Sequence, residues 1–391
     1  MFDPNNPHEY ENRYAHRAKF ADMELKRLIE EAAATTFPLT QRLMLRHILL
    51  LGATGAGKTN HAFHIIGQAE ADSVLIIDVK KEYRKLEGVL EKEVRVLAVG
   101  DEPSLRFNPL APPPGVKPDP WDRTFADVFT RSYGLSEPSR RILLDSLAYL
   151  RENSRGQPTL RELEKTVADF KAGSPKELSS RRSLESRLHI INTGAVGTSL
   201  NSDDFLDFGA LENAITVFEI GQVDSLRDQK FLAELLLAQV WQRDKAAPDV
   251  PDEELRRLIV VEEAHRYLSE ERPPTQRGDR TLLELAIAEA RRYGWGFVII
   301  DQMPSLLSRY VWDNAGTVFA HRMTNMESYS IVKSALGGHP LDSLKQDERD
   351  PLPLRLPESI ALFRRYVDPR VGGIGVGVTT VPRVLGQKDT Q

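Results

Sequence analysis

The chain contains no cysteine. Disulfide staples, thiolate zinc sites and a cysteine nucleophile are therefore excluded. No apolar run approaches the length needed to span a bilayer. The longest ones, "HILLLGA" and "GFVII", have the length of buried strands. The N-terminal stretch "MFDPNNPHEYENRYAHRAKF" lacks the apolar core of a signal peptide. An excess of positive charge is missing too. The formal net charge is -5, so the surface as a whole is no glove for nucleic acid, and any such contact needs a local patch. Internal repeats and low-complexity tracts are absent. These absences set the expectation of a cytoplasmic protein without a membrane segment. What is present is 391 residues, 41% hydrophobic and 28% charged, a balance that suits a sizeable core.

The organisation follows from where strands and helices alternate. Residues 1 to 45 read as a polar N-terminal helical arm, with a helical pattern from Ala15 to Ala34. "RHILLL" (Arg46 to Leu51), "SVLIID" (Ser73 to Asp78) and "VRVLAV" (Val94 to Val99) read as buried strands, with a helix in "TNHAFHIIGQAEA". Alternation of this kind favours a parallel α/β sheet. "APPPGVKPDP" (Ala111 to Pro120) reads as a proline-rich linker. Residues 113 to 212 then read as an α-helical insertion, and "TLRELEKTVADF" opens with a capping-box pattern. The sheet resumes at "AITVFEIG" and continues through "RLIVVEEAH", "GFVIIDQ", "GTVFAHR" and "SIALFRR". The core is thus split, 46 to 112 and 213 to 391, and "VLGQKDTQ" reads as a frayed tail.

Chemistry concentrates in a few segments. Gly52-Ala53-Thr54-Gly55-Ala56-Gly57-Lys58-Thr59 matches G-x-x-x-x-G-K-[ST] between an expected strand and an expected helix. Glycines there let backbone amides turn inward around phosphate oxygens, and the helix directs its positive end to the same place. Lys58 is expected to neutralise the β- and γ-phosphates and Thr59 to ligate magnesium. Asn60 follows directly and is counted with the nucleotide-binding residues. "LIVVEEAH" reads as a strand that delivers two acids to the sheet edge, Glu262 for the metal and Glu263 for the attacking water. Gln302, after the strand in "FVIIDQMPS", offers an amide to the γ-phosphate or the water, or alternatively a cap for the next segment. The wide separation of Lys58 from Glu262 is accounted for by the helical insertion.

Together these pieces resemble the HerA/FtsK superfamily of P-loop ATPases, and the HerA-like branch most. The resemblance rests on the cradle, "VVEEAH", "EARRYGWGFVIIDQMPS" and "HRMTN", with "IIDVKKEYRKL" and "LRFNPLA" in agreement, and covers residues 46 to 380 in order. It implies a RecA-like core with a mainly parallel sheet. It further implies a hexameric homo-oligomeric ring that hydrolyses ATP with Mg2+ between subunits and translocates or remodels double-stranded DNA. Under it, Lys58 and Thr59 match the P-loop positions, Glu263 the catalytic glutamate and Gln302 the sensor glutamine. Glu262 stands where aspartate is usual, so water-mediated metal contact is expected. Arg291 and Arg292 match arginines that reach the neighbouring subunit's site, and Arg322 is a second choice for that role. Family members that process DNA ends carry an N-terminal β-barrel before the core. Here about 45 residues that read as helical precede the cradle strand, a departure that bears on the usual nuclease partnership.

For a polyanion, "SEERPPTQRGDRT" (Ser269 to Thr281) supplies Arg272, Arg277 and Arg280 on a flexible segment after the acid-bearing strand. Sequence-independent contact to duplex phosphates is the expectation, with a surface loop balanced by Glu270, Glu271 and Asp279 as the alternative. "SSRRSLESR" is a weaker basic stretch. Two other functions fit the same motifs. One is a secretion- or conjugation-type motor. The other is an ATPase scaffold subunit that serves a nuclease or another effector protein in a defence complex.

Overall fold

The structure is a computed structural model. It describes residues 39–87, 89–100, 105–248, 254–269 and 280–335, and the backbone of strands 360–365 and 375–380. The expected helix from Ala15 to Ala34 and the C-terminal tail lie outside the described residues.

Nine strands form one sheet in the order β3-β4-β2-β5-β6-β1-β7-β8-β9. They are β1 (Ile48–Leu51), β2 (Ser73–Asp78), β3 (Val94–Ala98), β4 (Ile215–Glu219), β5 (Arg257–Glu262), β6 (Trp295–Asp301), β7 (Thr317–Ala320), β8 (Ile360–Arg365) and β9 (Gly375–Thr380). The seven strands from β3 to β7 in that order run parallel, and β8 and β9 add an antiparallel edge. This is the parallel α/β sheet that the alternation predicts, in the RecA-like form that the resemblance implies. The first strand is shorter than expected at its start. His47 takes a positive φ of 61, which breaks extended pairing before Ile48.

Alternation within the strands divides the core in two. Leu49, Leu75, Ile77, Ile259, Val261 and Ile299 face one side, where the long helices pack. Ile48, Leu50, Val74, Ile76, Val260 and Val298 face the other, against Phe63, Ile65 and Ile66 of the helix that follows the cradle. Both faces are buried, so the central strands read as continuous apolar runs.

The helices are α1 (Gln41–Met44), α2 (Lys58–Gln68), α3 (Pro118–Tyr133), α4 (Glu137–Asn153), α5 (Leu160–Asp169), α6 (Pro175–Ile191), α7 (Gly194–Leu200), α8 (Phe208–Leu211), α9 (Leu226–Ala246), α10 (Leu282–Glu289), α11 (Arg309–Asn314) and α12 (Met326–Ala335). Helices α3 to α8 stand between β3 and β4, and no strand interrupts them. The capping box forms at Thr159 and Glu162. The proline-rich stretch is only partly a linker, because Pro118 opens α3. Proline suits that first turn, where its missing N–H has no intrahelical partner.

The carboxyl ends of the seven parallel strands lie at one edge. The opposite edge is fixed by Arg257, which is fully buried and bonded to Asp244 (Nε to Oδ2, 2.5 Å) and Glu212 (2.6 Å). Among the described residues no helix is long and apolar enough to cross a membrane.

Candidate functional site

The cradle sits where β1 gives way to α2, between β6 and β7. Its turns need glycine. Gly55 and Gly57 have φ of 69 and 92, and Gly57 is the left-handed cap from which α2 starts. Gly52 is excluded from bearing a side chain by contact. A Cβ there would lie 2.7 Å from the Cβ of His321. The loop is docked on the end of β7, where the Ala53 amide donates to the Arg322 carbonyl (2.7 Å). The His321 ring lies 3.0 Å from the Ala56 carbonyl and 3.0 Å from His61. Burial drives the His321 pKa down to about 3, with Lys58 nearby adding to the effect, so this ring pair is neutral.

Lys58 projects back over the loop and donates to the Gly52 and Ala53 carbonyls, both at 2.8 Å. Burial, and then the neighbouring Lys80 ammonium, lower its pKa to about 8. A buried ammonium of this kind gains from an anion in the cradle. The Thr59 hydroxyl donates to Glu82 (2.8 Å).

The acids arrive from neighbouring strands. Four parallel strands end in a buried carboxylate: Asp78 on β2, Glu219 on β4, Glu262 on β5 and Asp301 on β6. Glu263 follows β5 in a left-handed conformation, φ 50 and ψ 49. A non-glycine residue is held there at a cost of about 1–3 kcal/mol, and such strain collects at functional positions. The turn is clamped by Asp301, which accepts the His265 backbone N–H (2.6 Å) and lies 3.0 Å from its ring Nδ1. That carboxylate raises the His265 pKa.

Glu262 and Glu263 differ in character. Burial raises the Glu262 pKa to about 7. Its Oε2 is buried without a hydrogen-bond partner. Burial acts on Glu263 in the same sense, but the Lys80 ammonium and the Gln302 amide outweigh it and hold its pKa below the usual range. Gln302 stands just beyond β6, between the other two elements. Its amide donates to Glu263 Oε1, and its oxygen accepts the Thr54 hydroxyl. One side-chain chain therefore joins the cradle to the acid turn.

These parts fit a nucleoside triphosphate with magnesium. Among the described residues there is no cluster of three or more His, Asp or Glu that could hold a metal by itself. A hydroxyl, one carboxylate, phosphate oxygens and water are the ligands magnesium prefers, and the orphaned Glu262 oxygen suits such a cation. Thr59 and Glu262 are the residues that would hold it.

The remaining sequence-derived residues are dispersed. Arg291 and Arg292 occupy a tight turn, Ala290–Tyr293, before the amino end of β6 and exposed to solvent. The length of β6 puts them roughly 20 Å from the cradle of their own chain. Backbone bonds fix the turn, with the Arg256 and Arg257 amides donating to the Gly294 carbonyl at 2.8 and 3.0 Å. Arg322 lies on its own chain's cradle, 3.5 Å from the Thr54 carbonyl. Arg280 stacks on the Tyr310 ring at 4.4 Å. Arg272 and Arg277 lie outside the described residues. The sequence reading missed Lys80, Asp78, Asp301 and His265. For Asp78 and Asp301 the available signal was an acid closing an apolar strand run.

No curated protein sequence matches the chain. Among solved structures it is similar to VirB4 of Thermoanaerobacter pseudethanolicus, with TM-score 0.63, 16% identity, and 85% of this chain and 89% of that chain covered. It is also similar to the bacterial conjugative coupling protein TrwBdeltaN70 in its unbound form, at 0.62, 13%, 88% and 87%. The plasmid coupling protein TrwB in complex with ADP and Mg2+ aligns at 0.60, 15%, 90% and 88%. At these identities the likeness is one of fold. Residues 25–240, more than half of the chain and including the whole cradle, match the model of the helicase HerA central domain, and the chain belongs to that family.

Proposed function

We propose that the chain is the ATP-hydrolysing subunit of a ring motor of the HerA/FtsK type, which translocates or remodels double-stranded DNA. Lys58 and the loop amides bind the triphosphate, and Thr59 and Glu262 would hold magnesium, which would supply positive charge beside the phosphates. Glu263 takes the proton of the attacking water. Gln302, bonded to both the cradle and Glu263, registers whether the γ-phosphate is in place. The observation that carries the ring is the division of the site. Cradle, acids and glutamine converge on one edge of the sheet, while Arg291 and Arg292 stand at the other edge on a fixed, exposed turn. From there they reach a nucleotide only in an adjacent subunit, where a guanidinium stabilises the charge of the transferring phosphate.

The family match and the fold shared with coupling proteins support this reading. A hexamer is the ring expected, and duplex DNA the polymer. A conjugation-type motor and an effector-bound scaffold share the same site. ATPase rates with and without duplex DNA, together with the mass of the assembly with and without nucleotide, separate a DNA motor from the scaffold. Stimulation by duplex DNA in a nucleotide-stabilised ring is the expected result. Turnover indifferent to DNA, with a co-purifying effector, would replace the motor with the scaffold.

A further inference from the structure

Lys80 has no part in the roles assigned so far, yet it touches both acids. Its Nζ lies 2.5 Å from Glu263 Oε1 and 3.3 Å from Glu262 Oε1. The side chain keeps 36% exposure against 7% for Glu263, so its stem lies on the rim with its head turned inward.

The fold builds this contact deliberately. Strands β2 and β5 are parallel neighbours, registered up to Ile77 opposite Val261. The next residues, Asp78 and Glu262, therefore close their strands side by side. Buried Asp78 then accepts the backbone N–H groups of Lys80 (2.8 Å), Lys81 (2.9 Å) and Tyr83 (3.0 Å). Lys81 turns the chain through a left-handed φ of 59. Tyr83 anchors the segment beneath, fully buried with its ring 5.4 Å from that of Phe63. With the backbone held in this way, the Lys80 ammonium stands in front of the acid turn. Glu263 is gripped from two sides, by Lys80 and by Gln302, both on the same oxygen Oε1. Its Oε2 is left toward His265 at 3.8 Å. A charge-assisted bond of this length is roughly twice as strong as a neutral one and fixes direction as well as distance.

We propose that Lys80 is a positioning residue for hydrolysis, whose ammonium fixes the Glu263 carboxylate at the place from which it meets the attacking water. The inference rests on the ATPase reading above. Lys80 does not hold the nucleotide. That task belongs to Lys58 and the cradle, so losing Lys80 slows turnover without loosening binding.

The test has two arms on the full chain. Steady-state hydrolysis of MgATP by K80M should show kcat lowered ~10-fold or more with KM within about threefold of the parent. K80R, which keeps the charge, should recover most of kcat. An unchanged kcat in K80M, or a K80R protein as slow as K80M, overturns the proposal. The second arm needs no turnover. Urea midpoints of K80M, E263Q and the double variant form a cycle. Non-additive midpoints are expected, because Gln in place of Glu263 removes the charge that K80M leaves unpaired. Strictly additive midpoints overturn the grip of Lys80 on Glu263. Should the parent protein hydrolyse no ATP, the ATPase reading falls, and the cycle still decides whether the grip exists.

Discussion

Gln302 and Glu263 are bonded side chain to side chain across the adjoining ends of β6 and β5, and the same glutamine accepts the Thr54 hydroxyl of the cradle. Binding and hydrolysis elements are thereby joined through one amide. Replacing Glu263 by Gln removes the base and keeps the shape. We expect kcat for ATP to fall about 100-fold or more with nucleotide affinity little changed. Gln302→Ala cuts the link and leaves the base. Its kcat should fall by roughly 10-fold, and its remaining rate should respond less to duplex DNA. Steady-state kinetics beside ADP titration measure both. Tight binding lost in either variant would mean that the pair is structural.

The arginine turn gives a prediction about mixtures. Arg291→Ala with Arg292→Ala leaves the cradle of its own chain intact, because the turn and the cradle lie at opposite edges. A Lys58→Ala chain keeps the arginines and loses the cradle. Each protein alone should be inactive, and mixing them should restore part of the ATPase by pairing an intact cradle with an intact finger. Mixtures as inactive as their components would place the arginines outside the site.

Gly52→Ala tests the docking of the loop on β7. The added Cβ meets His321 at 2.7 Å and the Arg322 carbonyl at 3.1 Å, and neither is the movable tip of a side chain. A loss of about 1–3 kcal/mol of stability is expected from this overpacking. Nucleotide affinity should fall with it, since the same loop holds the phosphates. Denaturant midpoints and ADP titration report the two effects.

Stability should decline in mild acid, and His47 is one cause. Its ring accepts from the Phe297 amide (3.2 Å) and lies 2.9 Å from the Ile287 carbonyl, a pattern that the neutral ring satisfies. Burial lowers its pKa from 6.5 to about 4. The unfolded chain therefore binds the proton first. The contribution is full above pH 6.5 and is lost as pH falls toward 4, amounting to about 3 kcal/mol at most. His47→Asn tolerates the positive φ and cannot titrate. Its stability should fall less than the parent's between pH 6.5 and 4.5, a difference that urea midpoints across that range would reveal. Parallel pH profiles would remove His47 from the account.

Much of this molecule was legible in the residues. The apolar runs, the glycine pattern and the acids after "LIVV" are local signals, and local backbone preferences and burial act on them directly. A strand, a glycine turn and a helix start make a cradle whatever surrounds them. The change from strand to helix after β3 is visible for the same reason, since periodicity changes along the chain. Other features depend on which strands become neighbours, and sequence order does not give that. Asp78 and Glu262 are 184 positions apart, yet the pairing of β2 with β5 sets them side by side and brings Lys80 onto Glu263. Gln302 was visible as an amide after a strand, and only the placement of β6 between β5 and β1 let it bridge Glu263 and Thr54. The direction of β6 likewise decided that Arg291 and Arg292 stand away from their own cradle. The sequence alone determined which groups are available and which local turns carry them. The tertiary structure decided which of them meet, because parallel pairing joins residues by register rather than by distance along the chain.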